Sequence, residues 1–238
     1  IQPQPIYSDI VCQFLNDLSG ELKKDTRSRE FSDILAFAFW CRKGNILKLK
    51  ENAYTGYVSK GRGLVFHIAP SNVPVNFAFS FVFGLLSGNA NIVRASSKEF
   101  PQTEIICDAV SKLFNLEMYQ TIASQNIIIS YDRTSEMTGY LSGICDARVI
   151  WGGDSTVNNI RQYPLKPKAI DIVFADRYSF GVMDIESVRH LSDDEMKRLA
   201  ENFYNDTYLM DQNACSTPHL ICCRRGNLTA DKIHEAKN

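Results

Sequence analysis

The sequence predicts an α/β fold in which helices cover both faces of a parallel β-sheet. From Gly61 onward, short apolar runs alternate with helical stretches, which is the pattern of parallel sheets with crossover helices. Gly, Pro and Asn stand between these runs, where turns are needed. Hydrophobic residues make up 45% of the 238 residues and charged residues 22%, so the chain can build a substantial core.

The first 60 residues are predicted to be a helical segment. Apolar residues recur at helical spacing from Ile10 to Leu18, and this helix is expected to end near Gly20. A charged link over 21–30 leads to a strongly apolar helix over 31–40. No chemistry is evident here, so the segment is predicted to be a packing layer or an oligomer contact.

Residues 61–210 are predicted to hold the sheet. Pro74 and Pro101 suit the first position of a helix, where the missing N–H costs no hydrogen bond. Ser192, followed three residues later by Glu195, has the capping-box pattern. The helices are expected over about 74–87, 101–114, 135–141, 155–162 and 192–210, and the strands over 64–68, 90–95, 126–130, 147–151, 169–174 and 180–183.

Composition excludes several classes of protein. The formal net charge of −1 gives no attraction for nucleic acid or an anionic membrane. The longest apolar run, 73–86, is shorter than the roughly 20 residues that span a bilayer, so no membrane insertion is expected. Seven cysteines without a CxxC pair favour a reducing, cytoplasmic location. The four histidines are dispersed and no zinc-ligand spacing occurs, so no metal site is expected.

Three turns, at 69–72, 96–98 and 152–155, are expected at the carboxyl edge of the sheet, where such sheets bind ligands. Gly152-Gly153 allows close backbone approach and the following helix presents N–H groups, which suits a phosphate or pyrophosphate. An ordinary N-cap with flexible glycines explains the same residues equally well. Asp154 would repel a pyrophosphate, so it is expected to cap the helix or to accept from a hydroxyl.

Two other residues at this edge have both a functional and a structural interpretation. Arg94 ends a strand near Lys98, where a cation could hold a ribose or its 2′-phosphate, or could be a solvated surface residue. Asn72 stands between two prolines, and its amide could donate to a developing oxyanion or could simply form the turn.

Cys215 is the candidate nucleophile. It lies among small and polar residues directly before an apolar run, 219–223, that is predicted to be a buried strand. A thiol at the lip of a strand is accessible to a ligand, whereas free cysteines are often buried structural residues. Both interpretations stay open on these residues alone.

Four motifs follow one another along the chain: Ile68-Ala69-Pro70-Ser71-Asn72-Val73-Pro74, Gly88-Asn89-Ala90-Asn91-Ile92-Val93-Arg94-Ala95-Ser96, Trp151-Gly152-Gly153-Asp154-Ser155 and Gln212-Asn213-Ala214-Cys215. Together they resemble the aldehyde dehydrogenase superfamily, and in particular its acyl-CoA reductase branch, which includes the fatty-acid reductases of bacterial luminescence systems. The resemblance implies a Rossmann-like parallel sheet of the aldehyde dehydrogenase type after the N-terminal helices. It also implies that 211–238 is the start of a truncated catalytic domain.

The resemblance implies a role for each matched position. Cys215 would be the catalytic nucleophile and Asn72 a donor to the oxyanion. The cofactor-binding residues would be Ile68, Ala69, Pro70, Ser71, Arg94, Ser97, Gly153, Asp154 and Val157.

Two departures from the family pattern favour NADPH and thioester reduction. Many members have Lys at the position of Arg94 and, three residues later, a Glu that binds the ribose hydroxyls; here that position is Ser97, which removes a repulsion against a 2′-phosphate. The Glu base of the oxidising members, in a Leu-Glu-Leu-Gly-Gly stretch, has no counterpart between Pro164 and Met210. Acyl transfer between thiols needs no activated water, so this absence fits a reductase.

The expected function is NADPH-dependent reduction of a long-chain acyl-CoA or acyl-protein thioester to an aldehyde through an acyl-cysteine. The expected partners are acyl-CoA or an acylated protein, and the full-length protein is expected to form a homo-oligomer. Two alternatives stay open, an NAD(P)-dependent aldehyde dehydrogenase and a cofactor-binding fragment without activity of its own. A cofactor-free cysteine hydrolase is disfavoured because no His lies in an evident strand-end turn, His67 being inside a strand.

Overall fold

The computed structural model describes residues 2–53, 56–132, 135–208, 212 and 215–226. The described chain forms two compact units that divide between Ala175 and Asp176. In the first unit the N-terminal helices and the sheet contribute to one hydrophobic core. The predicted division of the chain at residues 60 and 210 stays a prediction.

The first unit alternates helices and strands in the predicted order. Its strands are β1 (Leu64–Ile68), β2 (Ala90–Arg94), β3 (Asn126–Ile129), β4 (Ala147–Trp151) and β5 (Ile170–Phe174). Its helices are α1 (Asp9–Lys24), α2 (Ser32–Trp40), α3 (Lys43–Ala53), α4 (Asn76–Leu86), α5 (Pro101–Phe114), α6 (Gln120–Ala123), α7 (Met137–Ile144) and α8 (Asp154–Arg161).

The five strands form a parallel sheet in the order β3-β2-β1-β4-β5, which confirms the predicted fold class. Successive residues of a strand point to opposite faces. Phe66 and Ile68 therefore pack in the core that α7 and α8 cover, whereas His67 points to the opposite face and contacts Ser80 of α4. Helices cover both faces, as the alternating pattern predicted.

The N-terminal helices differ in two respects from the prediction. Helix α1 does not end near Gly20 but continues to Lys24, because Leu22 extends its apolar stripe and is fully buried. Part of the predicted charged link is a short 3-10 turn at Thr26–Glu30. Phe14 and Phe37, from α1 and α2, are fully buried in the same core as α4 and α5.

Backbone hydrogen bonds join the N-terminal residues to the sheet. Gln4 N donates to Gly88 O (2.8 Å), and Gly61 N donates to Gln4 O (2.9 Å). A Cβ at Gly61 would lie 2.0 Å from Gly88 O, and a Cβ at Gly88 would lie 2.0 Å from Gln4 O. Gly88 also has a positive φ of 74°, so glycine is required where these three backbone segments cross.

The second unit contains a separate two-stranded parallel sheet, made of β6 (Ser179–Asp184) and β7 (Pro218–Arg224). Helices α9 (Ile185–Arg189) and α10 (Asp193–Thr207) supply the crossover that a parallel pair needs. The predicted capping box is present at the start of α10.

Two predictions for this unit are wrong. The strand predicted at 180–183 belongs to the small sheet rather than to the large one. β7 is mostly exposed instead of buried, because among the described residues β6 is its only strand neighbour. No helix in the described ranges is long and apolar enough to cross a membrane.

Candidate functional site

Three turns of the first unit meet at the carboxyl edge of the sheet. β1 lies between β2 and β4, and Ile68 at its end is paired with both Arg94 and Ile150. The turns that follow these strands are therefore neighbours. This is the edge at which open parallel sheets bind ligands.

The turn after β1 presents Ser71 and Asn72, and both are exposed. Ala69 N donates to Arg94 O (3.0 Å), which ties the start of the turn to β2. Helix α4 begins at Asn76 rather than at the predicted residue 74, because 73–75 still form a turn closed by Asn76 N donating to Val73 O. Asn72 is accessible to a ligand, and its predicted role in stabilising an oxyanion stays a prediction.

Arg94 is held inside the end of β2. Its side chain is buried, its Nη2 donates to Tyr131 O (3.1 Å), and its guanidinium lies 4.9 Å from the centre of the Tyr131 ring. The alternative interpretation as a solvated surface arginine is therefore wrong. Ser97 and Lys98 follow on the surface, so the exposed cation of this turn is Lys98, whose Nζ lies 4.9 Å from the Phe100 ring centre.

The turn after β4 leads directly into α8, with Gly153 at the N-cap. Gly152 N donates to Phe174 O (3.2 Å) at the end of β5. A Cβ at Gly152 would lie 3.0 Å from Thr156 Cγ2, so the turn leaves no spare room at this position. Asp154 is exposed in the first turn of α8, where a carboxylate interacts favourably with the helix dipole.

Three of the predicted cofactor-binding residues lie in the core. Ile68, Ala69 and Val157 are 3%, 6% and 4% exposed, so their side chains hold β1 and α8 in place. Pro70 is partly exposed. The predicted contacts of these residues with a cofactor stay predictions.

Cys215 belongs to the second unit and is exposed, so its interpretation as a buried structural cysteine is wrong. Ser179 Oγ donates to Cys215 O (2.6 Å) and fixes the backbone just before β7. Thr217 is 1% exposed and anchors the other side of this short segment. Two residues of the predicted nucleophile motif, Asn213 and Ala214, lie outside the described residues.

Cysteines of the first unit are less available for chemistry. Cys41 is fully buried, and its burial raises the pKa of the thiol far above the usual range. Burial and the nearby Asp108 carboxylate raise the pKa of Cys107 to about 11. Because the thiolate is the nucleophile, these residues are poor candidates. Within the described ranges, no three His, Cys, Asp or Glu side chains are grouped so as to hold a metal ion.

A buried chain of polar side chains, missed in the sequence, crosses the sheet on its α4 face. Trp151 Nε1 donates to Ser80 Oγ (3.1 Å), and Ser80 Oγ lies 2.8 Å from His67 Nδ1. On the other side of the ring, Nε2 lies 2.9 Å from Asn91 Oδ1, and Asn91 Nδ2 donates to Asn126 Oδ1 (2.7 Å). The available signal was a polar residue in each of three apolar strands.

A second missed cluster lies on the opposite face of β4. Arg148 is 1% exposed, and its Nε and Nη2 donate to the two carboxylate oxygens of Asp171 at 2.8 and 3.1 Å. Its Nη1 donates to Ser142 Oγ and to the carbonyl oxygens of Ile160 and Tyr163. This arginine joins β4, β5, α7 and the C-terminal end of α8.

The fold is that of the aldehyde dehydrogenases. A lactaldehyde dehydrogenase from Escherichia coli matches with a TM-score of 0.67 and 13% identity, over 95% of this chain and 50% of that one. Aldehyde dehydrogenase 21 from Physcomitrella patens, solved with succinate, matches with a TM-score of 0.66 and 12% identity, over 96% of this chain and 50% of that one. At such identities the likeness shows the fold alone.

The family is narrower than the fold. The family model described as acyl-CoA reductase (LuxC) matches residues 43–237, which is more than half of the chain, so the chain belongs to this family. The long-chain acyl-protein thioester reductase of Vibrio harveyi is 28% identical over 180 residues, which are 74% of this chain and 34% of that protein. The resemblance that the four motifs indicated is confirmed. The chain spans about a third of this relative and about half of the solved structures.

Proposed function

We propose that this chain is part of an enzyme that reduces a long-chain acyl thioester to an aldehyde with NADPH, through an acyl-cysteine on Cys215. The observation that carries the proposal is the match of residues 43–237 to the acyl-CoA reductases. The matched range contains the three turns at the sheet edge and the exposed Cys215. Such a reaction needs an accessible thiol, an oxyanion donor and a dinucleotide site.

Cys215 would act first, as a thiolate. It attacks the carbonyl carbon of the acyl thioester and forms a new C–S bond, while the C–S bond to the donor thiol breaks and that thiol leaves as a thiolate that takes up a proton. The backbone N–H of Cys215 would donate to the oxyanion of the tetrahedral intermediate, and the resemblance to the family gives the side-chain amide of Asn72 the same role. The acyl group is then held on the enzyme as a thioester of Cys215.

When NADPH is bound, it supplies the hydride that reduces this thioester carbonyl. The product of this addition is a thiohemiacetal oxyanion on Cys215, which re-forms its C=O bond while the C–S bond to Cys215 breaks, so that the aldehyde is released and the thiolate is restored. The same donors that served the acyl transfer stabilise the second oxyanion. Cys215 returns to its starting state after each turnover.

The turns after β2 and β4 fit a dinucleotide. Gly153 at the N-cap provides no side-chain cap, and the N–H groups at the start of a helix such as α8 suit a phosphate oxygen. A Cβ at Gly152 would lie 3.0 Å from Thr156 Cγ2, and a glycine here leaves the backbone open to close approach by a ligand. Lys98 adds an exposed positive charge, and Asp154 is suited to accept a hydrogen bond from a hydroxyl group.

The preference for NADPH over NADH rests on the turn after β2. Ser97 is exposed at the position where many relatives carry a ribose-binding Glu, so no carboxylate opposes a 2′-phosphate there. Lys98 N donates to Ser96 Oγ (3.0 Å), which shapes this turn from within. We expect Ser97→Glu to weaken NADPH binding more than NADH binding.

Thioester reduction is preferred to aldehyde oxidation because of β5. Oxidation ends in hydrolysis, which needs a general base to activate water. The only acidic residue of β5 is Asp171, and both of its carboxylate oxygens accept from the buried Arg148. A carboxylate fixed in this ion pair is a poor base.

The acyl donor is proposed to be an acylated protein, with acyl-CoA as the alternative. The relative from Vibrio harveyi is named an acyl-protein thioester reductase, whereas the family description names acyl-CoA. Either donor presents the same thioester carbonyl to Cys215. Comparing the acylation rate with hexadecanoyl-CoA and with a hexadecanoylated carrier protein separates them.

The deciding experiment is covalent labelling by hexadecanoyl-CoA, read by intact mass and peptide mapping. We expect one hydroxylamine-sensitive acyl group on Cys215, and none on Cys215→Ala. Cys222→Ala and Cys223→Ala are matched controls, because these neighbouring thiols are also exposed; both should label normally. Asn72→Ala should slow labelling by about two to three orders of magnitude.

Different outcomes would point to the alternatives. Undiminished labelling of Cys215→Ala would refute the assignment of the nucleophile. Binding of NADPH without any acylation would favour a cofactor-binding fragment. Faster NAD-dependent aldehyde oxidation than NADPH-dependent thioester reduction, in the full-length protein, would favour an aldehyde dehydrogenase.

A further inference from the structure

The polar chain under α4 has one direction from end to end. Asn91 Nδ2 donates to both Asn89 O (2.9 Å) and Asn126 Oδ1 (2.7 Å), so Asn91 Oδ1 is the acceptor that faces His67. The Nε2 atom of His67 must therefore carry the proton. Its Nδ1 then accepts from the Ser80 hydroxyl, and the Ser80 oxygen accepts from Trp151 Nε1. Each polar hydrogen in this series has its own acceptor, the two of Asn91 Nδ2 included, which is consistent with a cooperative network.

Burial keeps this series in a single protonation state. His67, Ser80 and Asn91 are 2%, 3% and 0% exposed. Burial lowers the pKa of His67 to about 4, opposed by its hydrogen bond to Asn91, so the ring is neutral near pH 7. Gly84 of α4 leaves the necessary space, since a Cβ there would lie 1.9 Å from Asn91 Oδ1.

The series connects the two turns that matter most for the proposed function. Ser80 lies in α4, whose first residue, Asn76, comes shortly after the Ser71–Asn72 turn. Trp151 is the last residue of β4 and directly precedes Gly152-Gly153. The bond from Trp151 to Ser80 therefore links the helix behind one turn to the strand before the other. The indole is also held on its face, because the Phe174 ring stacks on it with centroids 3.7 Å apart.

Apolar side chains could fill this space without the free-energy cost of burying polar groups, which is offset only when every polar group has a hydrogen-bond partner. What polar groups add is direction, because a hydrogen bond fixes the indole in one orientation. We propose that Ser80 is a positioning residue whose hydroxyl, oriented by His67, sets the spacing between the Ser71–Asn72 turn and the Gly152-Gly153 turn by holding Trp151. The inference rests on the proposed dinucleotide site for its functional consequence.

Two variants test the link at its two ends. Ser80→Ala removes the acceptor, and Trp151→Phe removes the indole N–H while keeping an aromatic ring on Phe174. Each should weaken NADPH binding by up to about tenfold, because the worth of one hydrogen bond sets the upper limit of an effect that reaches the ligand through the turns. Since both variants break the same bond, the double variant should bind NADPH about as weakly as the weaker-binding single variant. NADPH fluorescence titration measures the dissociation constants.

Asn126→Ala is the matched control. It removes a buried hydrogen bond of the same series, but on β3, which β2 and β1 separate from β4. It should lower the melting temperature while changing the NADPH dissociation constant less than twofold. A loss of NADPH affinity in Asn126→Ala equal to that in Ser80→Ala would show that the series acts only through stability, and would overturn the inference.

A second measurement, hydrogen–deuterium exchange of the unliganded protein, judges the inference without any cofactor. The peptides covering 69–76 and 151–157 should exchange several-fold faster in Ser80→Ala and in Trp151→Phe, and at the wild-type rate in Asn126→Ala. Unchanged deuterium uptake of these peptides in Ser80→Ala would contradict the positioning role of Ser80. If the wild-type chain binds no dinucleotide, the proposed NADPH-dependent function is refuted. The exchange rates then decide by themselves whether Ser80 positions the turns.

Discussion

Strand β4 carries two polar anchors that differ in charge and in location. Arg148 and Trp151 are three residues apart, so they point to opposite faces of the sheet. Arg148 is an ionised side chain with several acceptors around it. Trp151 begins a series of neutral groups. Both residues help to position α8: Trp151 lies just before its N-terminus, and Arg148 donates hydrogen bonds to carbonyl oxygens at its C-terminal end.

The difference in charge between the two anchors matches the dipole of helix α8. A cation is favourable at the C-terminal end of a helix, where Arg148 donates to Ile160 O. The N-terminal end of α8 is the proposed phosphate site, and the anchor beside it is neutral and insensitive to pH near 7. A neutral tether there fixes the turn without adding a charge that competes with the ligand.

The largest effect is expected from removing the charged anchor. Arg148→Met would leave the Asp171 carboxylate and the carbonyl groups of α8 without their buried donor. Breaking a buried ion pair on one side costs about 3–5 kcal/mol, so urea denaturation should show a loss of stability of this size. Arg161→Met is the control, because Arg161 Nε lies 3.5 Å from Asp171 but its side chain is 53% exposed. Its loss should be below about 1 kcal/mol, and equal losses for the two variants would contradict a special role for Arg148.

His67, which belongs to the neutral series, should make the free energy of unfolding depend on pH. The pKa of His67 falls from its ordinary value of 6.5 to about 4 in the folded protein because the ring is buried. The unfolded chain therefore binds a proton below about pH 6.5 that the folded chain refuses until about pH 4, and the free energy of unfolding falls as the pH falls through this window. The full effect is about 3 kcal/mol for one group. Urea titrations from pH 7 to pH 4 measure it.

His67→Gln provides the comparison for that titration, since an amide keeps hydrogen-bonding capacity without titrating. The variant is expected to be less stable than the wild type at pH 7, and its stability should decline less between pH 6.5 and pH 4. A wild-type and a variant curve that run parallel would show that His67 does not carry this dependence.

The smallest effects concern the space around the neutral anchor. Gly84→Ala would push a methyl group against Asn91 Oδ1 and His67 Nε2, and overpacking of this kind costs about 1–3 kcal/mol. Gly20→Ala is the matched control, because Gly20 is also inside a helix and has no heavy atom within 4 Å of a new Cβ. It should stabilise by up to about 1 kcal/mol. Thermal melts of the two variants should move in opposite directions.

Local patterns were sufficient to predict the larger sheet. The apolar runs at β1, β2 and β4 are short and bounded by turn residues, and parallel pairing brings their ends to one edge whatever the details. The prediction of burial failed for β7, because the exposure of a strand depends on what packs against it. β7 has the sequence of a buried strand but lies exposed, because burial depends on neighbours in space and not on the strand itself.

The sequence predicted where the candidate site residues lie, but it did not predict the buried contacts that hold them in place. The exposure of Asn72 and Cys215 follows from turns at strand ends, although their chemical roles stay predictions. The burial of Arg94 depends on Tyr131, which is 37 residues away in sequence. The partners of His67 likewise come from a helix and a neighbouring strand. Such pairings become visible only once the strand order is known.

The crossing of Gln4 with Gly61 and Gly88 constrains the order of events during synthesis. The segment before α1 has backbone partners at Ser59 and Gly61 and, further along the chain, at Leu86 and Gly88, so its hydrogen bonds are complete only when the chain has been made up to Gly88. The apolar stripe of α1, including Phe14 and Leu18, is packed by α2 early in the chain, but α5 covers the rest of it only later. A chain whose synthesis has not passed α5 therefore exposes part of this apolar helix, and transiently exposed apolar surface of this kind favours aggregation.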